Sequence, residues 1–186
     1  MKYRVHPTPL GEYLITVDDS GAVTGIYPVR DRHLPPHLGI RDDDVAPDAA
    51  HQLDEYFAGA RREFDFPMSP SGSEFQKAVW AAIAAIPAGG LRTYGDIAAE
   101  LGSSPRAVVG ATGRNPISIV VPCHRVVAST GAITGYAGGL STKEWLLRHE
   151  GYTITPASGR NPKETAALVT PPTSNGAAPA GDGATP

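Results

Sequence analysis

Over the first sixty residues the spacing of apolar positions changes, and that change limits the folds open to the chain. Between residues 3 and 30, apolar and polar side chains alternate around the breaks Pro9-Leu10-Gly11 and Asp18-Asp19-Ser20-Gly21. A period of two belongs to a strand with one covered face, and such breaks turn the chain back on itself, so short antiparallel strands are expected. From about 49 to 60 the spacing lengthens: Leu53, Tyr56 and Phe57 stand at i, i+3 and i+4, one face of a helix. Residues 31–48, rich in Asp and Pro, read as a loop between them. Strands followed by helices predict an α+β chain.

Phe64, Phe66, Pro67 and a Ser-Pro-Ser-Gly stretch then read as an extended crossing. It divides an N-terminal domain at 1–68 from a second domain at 73–154, through a linker at 69–72. The second domain opens on Ser73-x-x-Gln76, a capping box before the apolar positions Phe75, Val79, Trp80 and Ile83. Ala88-Gly89-Gly90 is expected to end that helix. Thr93 can cap the next one, with Ile97, Ala98 and Leu101 inward and Gly102 as its stop. Ser104-Pro105 is an N-cap followed by proline at the first helical position, so a third helix starts there and ends by Gly113. Two short helices joined by a tight Gly-Ser-Ser turn make a helix-turn-helix candidate, a unit that is often only structural. A last helix is expected from Thr142 to Glu150, with Ser141-x-x-Glu144 as its capping box. From Thr155 to Pro186, 24 of 32 residues are Ala, Pro, Gly, Ser or Thr. That composition buries too little apolar surface to offset its ordering entropy, so a disordered tail at 155–186 is expected.

Apolar residues make up 41% of the chain, enough for a core, and no apolar run is long enough to span a membrane. The first residues lack the pattern of a signal peptide, which points to the cytoplasm. One cysteine forms no internal disulfide and no Cys-based zinc site, and the six histidines lack ligand spacing. No metal is expected. The net charge of −3 argues at first against a nucleic-acid partner. Counted by segment, however, residues 1–72 carry 7 Lys/Arg against 12 Asp/Glu, and residues 73–154 carry 7 against 5. The acidic excess lies in the first part, and the second is compatible with DNA without demanding it.

That single cysteine stands in Val121-Pro122-Cys123-His124-Arg125-Val126-Val127. A lone thiol ending an apolar run can simply be a small buried hydrophobe. A histidine and a fixed cation beside it suit nucleophilic chemistry instead, because the thiolate is the reactive form and positive charge favours it. The flanks decide between these. Upstream lie Phe75-Gln76-Lys77-Ala78-Val79-Trp80, Thr93-Tyr94-Gly95-Asp96-Ile97-Ala98 and Arg106-Ala107-Val108-Val109-Gly110-Ala111-Thr112-Gly113-Arg114-Asn115-Pro116. Downstream lie Gly135-Tyr136-Ala137-Gly138-Gly139-Leu140 and Lys143-Glu144-Trp145-Leu146-Leu147-Arg148-His149-Glu150-Gly151. In order and spacing these closely resemble the O6-alkylguanine-DNA alkyltransferases, densely from Ser73 to Gly151 and more thinly at Thr8-Pro9-Leu10-Gly11 and Gln52–Phe57.

The resemblance implies a ribonuclease H-like N-terminal domain and a helical, DNA-binding second domain. It implies stoichiometric transfer of an alkyl group from O6-alkylguanine, and from O4-alkylthymine, to Cys123, by a monomer on double-stranded DNA, without cofactor. Cys123, a water, His124 and Glu150 would form the relay. Adjacent side chains in an extended segment point to opposite faces, so direct contact of Cys123 with His124 requires the backbone to turn. Asn115 would tie the helix-turn-helix to the active-site strand. Tyr94 would neutralise the departing purine. Tyr136, with Ala137 and Gly138, would form a loop at the pocket rim, where the Ala137 N–H meets O6 and the Cys123 and Val126 carbonyls meet the guanine amino group. Thr112 would also line the pocket.

On the DNA side the resemblance names Thr93, Tyr94, Arg106, Ala107, Val109 and Arg114. Arg106 would take the place of the extruded nucleotide, while the small residues of its helix suit the minor groove. Two departures stand out. Val109 occupies a position where glycine is usual, and the stretch from Tyr94 to Arg106 is about two residues short. Related non-catalytic damage sensors lack the cysteine, which argues against that class. A Cys-His-Glu hydrolase would need an oxyanion hole for which the sequence offers no feature.

Overall fold

The computed structural model describes residues 1–31, 34–156 and 168–172. Its first half is a four-stranded sheet of β1 (Lys2–Thr8), β2 (Gly11–Val17), β3 (Val23–Pro28) and β4 (Ile40–Arg41), in the order β3-β2-β1-β4. The first three are antiparallel, as the alternation predicts. The two-residue β4 falls in the expected loop and pairs parallel to β1. Gly11, at φ 105°, makes the first turn. In the second, the Asp18 carboxylate accepts from the Ser20 N–H at 2.9 Å and the Ala22 N–H at 3.1 Å.

Helix α1 (Pro47–Phe57) lies against this sheet through Ala49, Ala50, Leu53 and Tyr56. It stops three residues before the expected end, because Gly59 takes a left-handed conformation at φ 77° and its N–H closes onto the Tyr56 carbonyl. Full burial of Leu53 contributes about 2 kcal/mol by itself.

In the second half, α2 (Glu74–Ala84) begins on both bonds of the Ser73–Gln76 capping box and ends before Ala88-Gly89-Gly90. After β5 (Arg92–Thr93), Thr93 caps α3 (Tyr94–Glu100) and Ser104 caps α4 (Pro105–Thr112), with Gly102 at φ 58° in the turn. This is the helix-turn-helix. The Trp80 indole N–H donates to the Ala111 carbonyl at 2.9 Å and fixes α2 to α4. A one-turn 3₁₀ helix, Cys123–Arg125, leads into β6 (Val126–Val127), which pairs parallel to β5.

The halves are not separate in packing. One core runs from Ile15 and Ile26 of the sheet to Val79, Ile97, Val108 and Leu146. The edge of β3 also extends into the second half: Ile26 N–H donates to Pro116 O at 2.8 Å, and Ser118 N–H to Ile26 O at 3.1 Å.

Three expectations are corrected. The apolar run 117–121 is a tight turn instead of a strand, with Ile119 at φ 76° and the Val121 N–H bonded to Ile117 O. The Asn115 side chain imposes it, accepting from Ile117 N–H at 3.0 Å and donating to Val121 O at 2.8 Å. Helix α5 (Leu140–His149) starts earlier than the Ser141 capping box, on Gly139 at φ 90°, so Ser141 is inside the helix and cannot cap it. The tail is ordered where it is described. Strand β8 (Leu168–Thr170) pairs with β7 (Thr153–Thr155), placing Val169 in a small core with Val127, Ile133, Leu147, Tyr152 and Ile154. Nonpolar Leu-Val within an otherwise small-residue tail supplies that strand. Residues 157–167 and 173–186 lie outside the described residues.

Candidate active site

Cys123 opens the 3₁₀ turn, so the backbone does turn at this point and the two-sided arrangement of an extended segment does not apply. The thiol is 7% exposed on the floor of a cleft of about 410 Å³. Tyr94, Val109, Thr112, Arg114, Tyr136 and Ala137 line this cleft with it, as do Gly110, Gly113 and Gly135. Asn115 Nδ2 lies 3.4 Å from Sγ, so the residue expected to brace the segment also touches the thiol. Burial pushes the Cys123 pKa up, while the Asn115 hydrogen bond and the Lys143 charge act in the opposite direction.

Beneath the thiol lies a closed set of ionic hydrogen bonds. Glu150, the C-cap of α5, accepts His124 Nε2 on Oε1 at 2.8 Å. Arg125 spans both oxygens, with Nε at 2.8 Å from Oε2 and Nη2 at 2.9 Å from Oε1. Its Nη1 donates to Ile86 O, and the Tyr56 hydroxyl adds a further bond to Oε1 at 2.9 Å. Burial alone would raise the Glu150 pKa; the His124 hydrogen bond and the Arg125 guanidinium overcome it and hold the carboxyl well below the usual carboxylate range. Burial lowers the His124 pKa, with Glu150 opposing. The resting site therefore carries a carboxylate–guanidinium pair beside a neutral imidazole. An ionised carboxylate only accepts, so Nε2 bears the imidazole proton and Nδ1 is the basic nitrogen. That Nδ1 is buried and makes no hydrogen bond to the described residues.

Lys143 completes the electrostatics. It is fully buried, with Nζ donating to Val126 O at 2.6 Å and Thr134 O at 2.9 Å. Burial lowers its pKa to about 8, and the charge that counters this is the Cys123 thiolate. A buried ammonium without a carboxylate partner is costly unless an anion forms nearby. Tyr94 lines the same cleft near Lys143: its ring centroid is 6.0 Å from Nζ, its hydroxyl donates to Thr134 O at 3.3 Å, and burial raises its pKa to about 12. It thus stays a proton-bearing phenol at neutral pH.

Other expected residues fall outside the cleft lining. Arg106 is the exposed second residue of α4 and makes no ion pair among the described residues. Ala107 and Thr93 serve the helix caps. Gly138 lies under the Tyr136 ring, where an added Cβ would come within 3.0 Å of that ring. The Val126 carbonyl accepts from Lys143 and the Cys123 carbonyl accepts the Val126 N–H, each keeping a second lone pair. Val109 is 45% exposed on the cleft side of α4. Neither Lys143 nor Tyr56 was expected at the site, and Arg125, expected as the cation favouring the thiolate, gives its guanidinium to Glu150 and Ile86 O instead. For Lys143 a signal existed: it stands seven residues before Glu150, two helical turns away on one face.

Comparison with known proteins agrees with this geometry. Residues 1–70 match the family described as 6-O-methylguanine DNA methyltransferase, ribonuclease-like domain, and residues 74–152 match the corresponding DNA binding domain. A methylated-DNA–protein-cysteine methyltransferase of Methanosarcina acetivorans is 42% identical over 154 residues, which is 81% of this chain and 99% of that protein. One from Mycolicibacterium paratuberculosis is 42% identical over 153 residues, 81% of this chain and 92% of that protein. The crystal structure of Mycobacterium tuberculosis OGT in complex with DNA superposes with a TM-score of 0.75 at 38% identity, covering 81% of this chain and 92% of that one. A buried thiol on a cleft floor, a histidine–glutamate pair beneath it and a helix-turn-helix beside it thus occur in a chain that belongs to the 6-O-methylguanine DNA methyltransferase family.

Proposed function

We propose that this protein repairs DNA by taking the alkyl group of O6-alkylguanine, and of O4-alkylthymine, onto Cys123 Sγ. The observation that carries the reading is a cleft-floor thiol held by Asn115 beside the His124–Glu150 pair. The thiol proton passes through a water to His124 Nδ1, and Glu150 stabilises the imidazolium that results. The thiolate, countered by Lys143, attacks the alkyl carbon. An S–C bond forms as the C–O6 bond breaks, and the guanine anion leaves with a proton from Tyr94. Water returns the Tyr94 proton, and His124 releases its own to solvent. A thioether has no easy hydrolytic exit, so each molecule acts once.

A base inside a duplex cannot reach a buried sulfur, so the target nucleotide is extruded into the cleft. Helix α4 enters the minor groove on its small residues Ala107, Gly110, Ala111 and Gly113, with Arg106 filling the vacated stack and Arg114 and Thr93 near the backbone. Tyr136 and Ala137 cover the base, and Thr112 borders it. Val109 adds apolar contact at the mouth. The protein acts as a monomer in the cytoplasm, where its thiol stays reduced.

Arg106→Ala tests the DNA side of this reading. A duplex target must leave its stack at a cost of a few kcal/mol, which an inserted guanidinium offsets. A free base has no stack to leave. The variant is expected to slow single-turnover transfer from duplex DNA by about tenfold or more, and transfer from free O6-methylguanine less than about twofold. Equal slowing of both substrates would assign Arg106 to the pocket instead, and unchanged rates on both would remove it from base extrusion.

A further inference from the structure

We propose that Tyr56, from the first half of the chain, is a positioning residue for alkyl transfer: its hydroxyl fixes the Glu150 carboxylate and sets how strongly that carboxylate draws on His124. The proposal rests on Cys123, His124 and Glu150 being the transfer site.

Tyr56 lies on α1, ninety-four residues from Glu150, and is 2% exposed. Its hydroxyl donates to Glu150 Oε1 at 2.9 Å, while its carbonyl accepts His149 Nε2 at 2.7 Å. The consecutive residues His149 and Glu150 are thus both held by one tyrosine. The ring cannot easily swing away, because it packs on Phe57, Phe64 and His149 at centroid distances of 5.4, 5.7 and 5.1 Å. Just beyond α1, Arg62 Nη1 reaches the Glu150 carbonyl at 3.4 Å. The first half therefore grips the end of α5 by side chain and main chain together.

The bonds on Glu150 are shared unequally. Oε1 receives His124, Tyr56 and Arg125 Nη2, whereas Oε2 receives only Arg125 Nε. Three donors compete for one oxygen, so each weakens the pull on the others. A phenol bonded to the carboxylate stabilises its charge and lowers the basicity it induces in the imidazole. Removing the hydroxyl leaves more negative charge facing His124 and makes Nδ1 more basic. The other groups facing this set stay in place: Arg125 on the 3₁₀ turn, Lys143 and His149 on α5, Tyr152 beyond it, Arg62 after α1 and Tyr13 on β2.

The direction of the pH effect follows. At rest the imidazole is neutral, and transfer fails on the acid side when Nδ1 takes a proton from solvent in place of the thiol's. A more basic Nδ1 moves that limb to higher pH. Tyr56→Phe keeps the ring, and hence the packing.

The test is the single-turnover rate of methyl transfer from a duplex with one O6-methylguanine, measured from pH 5 to 9. The acid limb of Tyr56→Phe is expected about 0.5 unit or more above wild type, roughly a threefold change in His124 protonation at a given pH. Superimposed limbs would overturn the proposal, whatever the change in rate or melting temperature. In a Glu150→Gln background, Tyr56→Phe should not move the limb; an equal shift there would also overturn it, because the route through the carboxylate would be absent. Should Tyr56→Phe fail to fold, difluorotyrosine inserted at position 56 is a stronger donor and should move the limb to lower pH, and an unmoved limb counts against the proposal. Wild type without methyl uptake would overturn both the transfer reading and this proposal. Uptake by wild type without a shift overturns only the role of Tyr56.

Discussion

Cys123→Ser is expected to leave the protein folded and bound to DNA while abolishing alkyl transfer. The substitution exchanges one small side-chain atom at a site already lined by an amide donor, Asn115 Nδ2, 3.4 Å from Sγ. Little packing is lost, because Sγ and a hydroxyl oxygen fill similar volumes. The chemistry is lost because a serine hydroxyl is a far weaker acid than a thiol, and a neutral imidazole whose basicity burial already lowers cannot deprotonate it appreciably. A hydroxyl also gains less from Lys143, whose charge acts on a formed thiolate. The expected loss is about a thousandfold or more in single-turnover rate. Equilibrium binding to the same duplex should stay within about twofold of wild type, since Cys123 sits on the cleft floor and not on α4. Transfer by the serine variant at a measurable fraction of the wild-type rate would place the nucleophile elsewhere.

Glu150→Gln is expected to damage both stability and rate. Glu150 is 4% exposed and balances Arg125, which is 5% exposed. Breaking a buried pair by removing one charge typically costs about 3–5 kcal/mol, because the surviving ion is left uncompensated. The amide also fails to stabilise the imidazolium, so transfer should slow by about tenfold to a hundredfold. The stability loss has a pH signature. The folded-state pKa of Glu150 is depressed below its unfolded value, so its contribution is complete above the unfolded pKa of about 4.3 and is lost as pH falls toward the folded value. The gap in unfolding free energy between wild type and variant should therefore be widest near neutral pH and narrow below about pH 4. Denaturant titrations at several pH values measure it, and a gap that is small at pH 7 would show that Arg125 finds another partner.

Local features of this fold were readable wherever one short stretch of sequence determines them. Ser73 and Gln76 cap α2 by bonds three residues apart, and Thr93, Ser104 and Pro105 act over equally short spans. Gly139 was harder to read as a helix start, because Ser141 and Glu144 offer a competing capping pattern two residues later. Pairings across the chain were not readable. Strand β4 is two residues long and exists because Lys2 and Tyr3 offer an edge, while β8 needs both β7 and the apolar patch around Ile133. The turn at 117–121 resembles a strand in composition, and Asn115 overrides it.

The same division holds within the site. Cys123, His124 and Glu150 were legible because their neighbours form ordered motifs, and Asn115 because it stands eight residues ahead of the thiol. Tyr56 was not, since nothing within its helix distinguishes a core tyrosine from one whose hydroxyl meets a carboxylate ninety-four residues later.

The central claim, that Cys123 is the alkyl acceptor, has a direct measurement. The full chain is incubated with an equimolar duplex carrying one O6-methylguanine, then digested, and the peptide containing Cys123 is weighed. The account predicts a gain of one CH₂ on that peptide alone, with one guanine restored per protein molecule and no second turnover. Restored guanine with an unmodified Cys123, or more than one guanine restored per molecule, would contradict it.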